Sequence, residues 1–172
     1  MVCVDRALSV KWPWAWLVTH EDPQVPGVPL KDVENRTWPL PADVRLPMRV
    51  YVHAGKKIDV AAPSKRMIAK VDALETDSVL EFIRSRLACR PGKFSEMVNF
   101  MAFEVAREPR MWCGAIVGEV DIVGQTREID SRWFVGPFGF ELKNPEWYGK
   151  PIPYRGSLGF FPVVLSEVVK SA

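Results

Sequence analysis

One short segment holds a lysine, a glutamate and an arginine within six positions, at Lys31, Glu34 and Arg36. If the segment is extended, successive side chains alternate between two faces, so Glu34 and Arg36 point the same way. A carboxylate and a guanidinium on one face can pair with each other, or together offer an acceptor and donors to a polar ligand. By itself, this spacing also fits a surface ion pair on a solvated strand.

Three further stretches accompany this segment, namely ALSVKWPWA from residue 7, MRVYVHAGK from residue 48 and WFVGPFGFEL from residue 133. Together with it, they resemble the ASCH family, a branch of the PUA-like β-barrel folds, whose pattern is roughly GxKxxExR. Lys31, Glu34 and Arg36 match the charged positions of that pattern, and Pro29 stands where the glycine is expected. The resemblance covers residues 7–58 and 114–165, and it does not cover residues 59–110.

The resemblance implies that the three charged side chains line a cleft at the mouth of a barrel. Glu34 would accept a hydrogen bond from the exocyclic amine of a base, and Arg36 would hold a phosphate or a carbonyl, or would fix Glu34. Lys31 would reach a phosphate, or would act as a base if burial lowers its pKa. Because ASCH and related PUA-like domains are linked to RNA or modified-base recognition, the implied partners are RNA, a nucleotide or single-stranded nucleic acid.

The first of the companion stretches contributes Ser9, Lys11 and Trp14 as candidate ligand-binding residues. They stand where a predicted strand leads into a helix N-terminus, which is a natural position for an anion. Trp14 is either a stacking platform for a base or a core residue, and the two interpretations weigh equally. Trp12 is expected in the core, since large aromatic side chains dominate the cores of small barrels.

Four more residues complete the candidate ligand-binding set. His53 ends a predicted strand and is followed by Lys56, an arrangement that can contact a base, a sugar or a phosphate. A lone histidine is more often a hydrogen-bonded structural residue, and Lys56 also fits a solvated turn. Trp133 and Arg155 are the residues of the last third that we expect to be exposed to the cleft.

Composition and cysteine usage restrict the class of protein. The 172 residues fit one domain, residues 1–172, with an ordinary apolar fraction of 48% and a net charge of +2. Three widely spaced cysteines form neither a disulfide framework nor a zinc signature. We therefore expect no cofactor and no metal, no membrane partner, and a cytoplasmic location. Glu119 and Asp121 share one face of a strand and are interpreted as an outward polar face rather than as a catalytic pair.

Hydrophobic periodicity predicts the elements that carry these residues. Strands are predicted at 6–12, 32–38, 48–54, 114–124, 132–142 and 157–165, and a short helix is predicted from Pro13 to Thr19. The glycines of 114–124 favour bulges. Three helices are predicted within about 59–110. The fold class is therefore α+β, a small partly open PUA-like β-barrel with flanking helices and a helical insertion.

Three functions remain open at this level. The first is a binding module for RNA or for a nucleotide or nucleobase, modified or not. The second is a small amidohydrolase that removes the acyl group of an acylated cytidine, with Lys31 and Glu34 as catalytic residues. The branch of the family that it resembles has a threonine where this chain has Glu34, so the nucleophile of that reaction is missing. The third is a protein-interaction scaffold that uses the segment 59–110.

Overall fold

The computed structural model describes residues 5–58 and 112–165. Within these two ranges the chain forms six strands and one α-helix. The elements in chain order are β1 (Arg6–Trp12), α1 (Trp14–Thr19), β2 (Val33–Arg36), β3 (Met48–Ile58), β4 (Ala115–Thr126), β5 (Phe138–Pro153) and β6 (Phe160–Pro162). Among the described residues, no helix has the length and apolar character needed to cross a bilayer. The predicted helical insertion lies outside the described residues.

The six strands form one curled sheet in the order β2-β5-β4-β3-β1-β6, which closes about half of a barrel. β1 and β3 run parallel, and the other neighbouring pairs run antiparallel. The helix α1 follows β1 and packs against β1, β3, β4 and β5. The small, partly open barrel that the sequence predicts therefore agrees with this coarse architecture.

The two faces of the sheet carry two separate apolar cores. Leu8 and Val10 of β1 lie in the larger core, together with the residues of α1 and with Val52 of β3. Ala7 and Tyr51 lie in a smaller core on the opposite face. We call the face of the larger core the inner face and the other one the outer face. The alternation assigns the side chains of β1, and those of β3 as far as Ala54, to one of the two faces.

The early elements lie close to where the sequence predicts them, and the late ones differ. β1 matches its predicted bounds, and α1 begins one residue after Pro13. β4 bulges at Gly118 and Gly124, as its glycines predict. The predicted strand 132–142 is wrong in its bounds, because residues 132–137 are a loop and β5 extends to Pro153. Predicted strand 157–165 is reduced to β6.

Prolines explain why the long β5 escapes prediction. β2 pairs only with the first part of β5, from Phe138 to Glu141, and the rest of β5 pairs with β4 alone. Pro145, Pro151 and Pro153 all lie in that second part. A proline cannot donate to a ladder, but it is tolerated on a strand that has only one neighbour. The proline-rich composition that suggests a loop is thus compatible with an edge strand.

Candidate functional site

The three charged residues form a buried ion network around Glu34. Lys31 Nζ lies 2.5 Å from Glu34 Oε2 and donates a second hydrogen bond to the Val33 carbonyl at 2.7 Å. Arg36 Nη1 lies 3.0 Å from Glu34 Oε1. Lys31 is 5% exposed and Glu34 is 6% exposed. The carboxylate is therefore clamped between an ammonium and a guanidinium, both within contact distance.

Two elements bring the network to the inner face. Glu34 of β2 is directly opposite Phe140 of β5, and Phe140 belongs to the larger core. Residues opposite each other in an antiparallel pair share a face, so Glu34 points inward. Lys31 is anchored beside α1, because its backbone N–H donates to the Leu17 carbonyl. The sequence therefore folds two charged residues into a largely apolar interior, where each depends on its partners.

Arg36 links β2 to β1 across the open side of the sheet. Its Nη2 donates to the Ser9 carbonyl at 2.7 Å. The Ser9 N–H donates to the Gly159 carbonyl, just before β6 begins. In a strand, the N–H and the carbonyl of one residue point to the same side. The Ser9 carbonyl therefore points to the side of β1 where β6 pairs, but it lies beyond the end of that pairing, and there Arg36 reaches it. Arg36 thereby connects β2 to β1, two strands that are not hydrogen-bonded to each other in the sheet.

Aromatic rings fill the same gap beside Arg36. The guanidinium carbon of Arg36 lies 5.8 Å from the centre of the Trp38 ring, which is half-buried. Trp38 makes edge contacts with Phe140 at 5.4 Å and with Phe160 at 5.7 Å. We call this gap the seam, formed by Arg36, Trp38, Gly159 and Phe160. It places a half-buried indole ring next to a charged network.

The electrostatics of the network favour an ionised Glu34. Burial raises the pKa of a carboxyl group, but the charges of Lys31 and Arg36 and the hydrogen bond from Lys31 outweigh it, so the pKa of Glu34 is lowered. Two cations then face one carboxylate. The buried Nε of Arg36 has no hydrogen-bond partner among the described residues. The site thus has a surplus positive charge and one donor left over.

A second polar cluster lies on the outer face. His53 Nε2 lies 3.1 Å from the Tyr154 carbonyl, which can only accept, so Nε2 carries the hydrogen. Nδ1 is then the acceptor for the Ser9 hydroxyl at 3.5 Å. Burial lowers the pKa of His53, and the hydrogen bond to Tyr154 offsets part of this effect. The neutral imidazole therefore fastens the segment after β5 onto the sheet.

Gly156 packs directly on the His53 ring, and this contact can be tested. A Cβ added to Gly156 would lie 2.5 Å from His53 Nδ1, whereas one added to Gly55 would meet nothing closer than 3.7 Å. We expect Gly156→Ala to lower the free energy of unfolding by about 1–3 kcal/mol, the usual cost of overpacking. Gly55→Ala is the matched control and should change it by less than about 1 kcal/mol. Urea denaturation measures both; equal effects would show that the histidine contact does not hold this segment.

The structure separates residues that the sequence placed in one cleft. The network of Glu34 lies on the inner face, whereas the Ser9 and His53 side chains join the outer face. Lys11 is exposed and lies between Val10 and Trp12, both buried in the larger core, so it too points outward. The expected single cleft is therefore wrong, because Arg36 meets the backbone of Ser9 and not its side chain.

The remaining candidates divide between burial and exposure. Trp133 is 2% exposed and donates from Nε1 to the Leu30 carbonyl, so its expected exposure is wrong. Trp14 is half-buried and meets Trp133 edge-on at 6.3 Å. Lys56 and Arg155 are exposed. Trp12 is fully buried, which confirms its expected place in the core.

The predicted polar face of β4 is confirmed. Arg49 bonds to Glu119 at 2.9 Å, to Asp121 at 3.2 Å and to Glu146 at 3.0 Å. Tyr148 also donates to Glu119. The carboxylates are thus engaged in a structural network. Within the two described ranges, no group of three histidine, cysteine or acidic side chains could hold a metal ion.

Two residues of β2 and its end have roles that the motif did not reveal. Asn35 donates to the Trp133 carbonyl at 2.8 Å and accepts from the Val135 N–H at 2.9 Å, which fastens that loop to β2. Trp38 forms the aromatic wall of the seam. The available signal for Trp38 was its position two residues after Arg36, which in an extended chain repeats the face of Glu34 and Arg36.

A polar cleft of about 650 Å³ opens beside the network. Asp32, next to Lys31, accepts a hydrogen bond from Ser131 at 2.6 Å in its wall. Its lining residues are Asp22, Val25, Val28, Pro29, Leu30, Asp32, Asp130, Ser131, Arg132, Trp133 and Lys143. No protein-family model matches this chain, and no curated protein matches it.

Proposed function

We propose that the protein binds a single unstacked nucleobase, of RNA or of a free nucleotide, at the seam between β2 and β1. The observation that carries the proposal is the buried Glu34 carboxylate, held between Lys31 and Arg36 beside the half-buried ring of Trp38. Single-stranded bases are commonly recognised by stacking on an aromatic ring, combined with hydrogen bonds to the base edge.

The chemistry of the seam matches the edge of a base. A carboxylate offers about four acceptor positions, and Lys31 and Arg36 occupy one on each oxygen of Glu34. The remaining positions are suited to an exocyclic amine, and Arg36 Nε is suited to a carbonyl or a ring nitrogen; both groups are buried, so a base must enter the seam to reach them. Trp38 supplies a stacking face, worth about 1–3 kcal/mol per base in such sites. A planar ligand with a donor and an acceptor on one edge can bond to Glu34, bond to Arg36 and stack on Trp38.

The resemblance to ASCH and PUA-like domains supports the same proposal. Lys31, Glu34 and Arg36, which match the GxKxxExR pattern, are the residues that form the network. We infer that the chain is a PUA-like domain of this kind and that a modified base is among its ligands. A curled six-stranded sheet is compatible with this assignment.

Binding suits this site better than hydrolysis of an acylated cytidine. That reaction requires a nucleophile, and the Ser9 hydroxyl bonds to His53 on the outer face. Thr37 is exposed. Lys31 donates to both Glu34 and the Val33 carbonyl, which suits a structural ammonium. We therefore propose recognition of the base without efficient cleavage.

Arg36→Lys tests the proposal with the charge retained. A lysine can still pair with Glu34, but it cannot also reach the Ser9 carbonyl and present a third donor to a ligand. We expect nucleoside affinity to fall by about 1–3 kcal/mol, the cost of an unmet polar group, which is roughly five- to 150-fold. Calorimetric titration with adenosine, guanosine, cytidine, uridine and acetylated cytidine measures it.

The matched control is Arg127→Lys. Arg127 also lies against an aromatic ring, 4.8 Å from the centre of Phe138, but it is exposed and follows β4. Its replacement should leave affinity unchanged. If wild-type protein binds a nucleoside and Arg36→Lys binds it equally well, the ligand lies elsewhere; if nothing binds, a scaffold role is favoured.

A further inference from the structure

We propose that the polar cleft at the start of β2 binds a basic amino acid, arginine or lysine, as a small-molecule ligand. Its volume of about 650 Å³ lies within the range of about 300–1,000 Å³ that is usual for small-ligand sites. The cleft reaches Asp32, directly before β2, whereas the base site lies at Arg36 and Trp38, at the other end of that strand. The two sites are therefore separate, and this proposal does not depend on base binding.

Hydrogen bonds between its two walls hold the cleft open. One wall comes from the segment that ends at Asp32, and the other comes from the loop that precedes β5. Trp133 Nε1 donates to the Leu30 carbonyl at 2.8 Å, and the Ser131 hydroxyl donates to Asp32 Oδ1 at 2.6 Å. The fold itself thus forms the cleft, as is usual for sites that bind small molecules.

Charged side chains of the lining are left for a ligand to pair with. Within residues 5–58 and 112–165, three of them form no ion pair, namely Asp32, Asp130 and Lys143. In the same ranges, the half-buried Asp32 carboxylate bonds only to Ser131, through Oδ1, so Oδ2 can accept from a ligand. Asp130 and Lys143 are exposed at the rim. Two carboxylates and one ammonium therefore face the cleft.

This set of charges matches a ligand that carries two cationic groups and one anionic group. A basic amino acid has an α-ammonium and a side-chain cation, which can pair with Asp32 and Asp130, and an α-carboxylate, which can pair with Lys143. Asp22 and Arg132 also line the cleft, and both already have partners. A ligand with this charge pattern leaves no charge of the set without a partner.

The apolar part of the lining matches the stem of the same ligand. Val25, Val28 and Pro29 lie in the wall, and Val25 is 44% exposed. The methylene groups of a lysine or arginine side chain can cover such surface while the charged head stays at a carboxylate. An inorganic cation would leave this apolar surface in water, so the lining favours an organic ligand.

Calorimetric titration of the full chain tests the proposal with arginine, lysine, leucine and agmatine, each up to about 10 mM. Leucine lacks the side-chain cation, and agmatine is arginine without its carboxylate. We expect arginine or lysine to bind, and leucine to bind more weakly by about tenfold or more, as for the loss of a hydrogen bond to a charged group. If neither basic amino acid binds, the proposal is wrong.

Two substitutions test the assigned contacts. Asp32→Asn can still accept from Ser131 but loses the charge, and it should weaken binding of the basic amino acid about tenfold. Lys143→Gln should weaken it about two- to fivefold, since this pair is exposed. The same Lys143→Gln change should not weaken agmatine, which has no carboxylate to lose a partner. Equal losses for agmatine and arginine would overturn the assignment.

Glu128→Gln is the matched control. Glu128 is an exposed acid of the same loop as Asp130, and it is not among the lining residues of the cleft. Its replacement should leave the affinity for arginine and lysine at the wild-type value. A loss as large as that in Asp32→Asn would show that the amino acid responds only to the overall charge of the protein, and it would refute the site.

Discussion

Replacing Glu34 by leucine is expected to lower the free energy of unfolding by about 3–5 kcal/mol, because it leaves two buried cations without a counter-charge. Lys31 and Arg36 are both largely withdrawn from water, with side chains 6% and 18% exposed. Removing one partner of such a network costs more than the network contributes, since the remaining charges stay desolvated. Urea denaturation near neutral pH measures the loss.

The control for this prediction removes all three charges. In the variant Lys31→Met/Glu34→Leu/Arg36→Met, no charge is left buried, and apolar side chains of similar volume fill the space. We expect its stability to lie within about 2 kcal/mol of wild type, as is often found when a buried ion network is replaced as a whole. A triple variant as unstable as Glu34→Leu would show that the network itself holds β2 against β1.

Acidification is expected to destabilise the protein through His20, by about 3 kcal/mol between pH 7 and pH 4. His20 ends α1, stacks on Trp16 with ring centres 3.7 Å apart, and contacts Trp147 at 4.6 Å. Burial lowers its pKa from 6.5 to about 4, although the hydrogen bond to the Trp16 carbonyl opposes the shift. Between about pH 6.5 and pH 4, His20 is therefore protonated in the unfolded chain but neutral in the folded protein.

The sign of the His20 effect follows from this lowered pKa. The contribution of neutral His20 to the free energy of unfolding is complete above the pKa of the unfolded chain, and it is lost as the pH falls from about 6.5 toward 4. The shifts of His53 and Glu34 act in the same direction, and that of Glu34 acts only below about pH 4.3. His20→Gln isolates the effect, because its stability should change less between pH 7 and pH 4.5 than that of wild type. Parallel curves would refute it.

The elements that position the site were predictable where one local rule decides them. β1 alternates cleanly, so Leu8 and Val10 could be assigned to one face and Ser9 to the other. The same rule placed Glu34 and Arg36 on a common face of β2. Both assignments agree with the structure because period-two alternation depends only on the strand itself.

What the sequence could not decide was how the two ends of the sheet meet. Arg36 reaches the backbone carbonyl of Ser9, and any residue at that position offers a carbonyl. The sequence therefore suggested a shared cleft of side chains, whereas closure of the sheet puts Glu34 inside and His53 outside. Trp133 was misjudged for the same reason, since its Nε1 finds its partner at the distant Leu30 carbonyl.

The measurement that tests the central claim most directly is nucleoside binding by the triple variant Lys31→Met/Glu34→Leu/Arg36→Met, titrated beside wild type in a calorimeter. Circular dichroism first shows that the variant is folded. If the charged network serves base recognition, wild type binds at least one nucleoside of the panel and the folded triple variant binds none. Equal binding by the two proteins, or no binding by wild type to any nucleoside of the panel, would contradict the account.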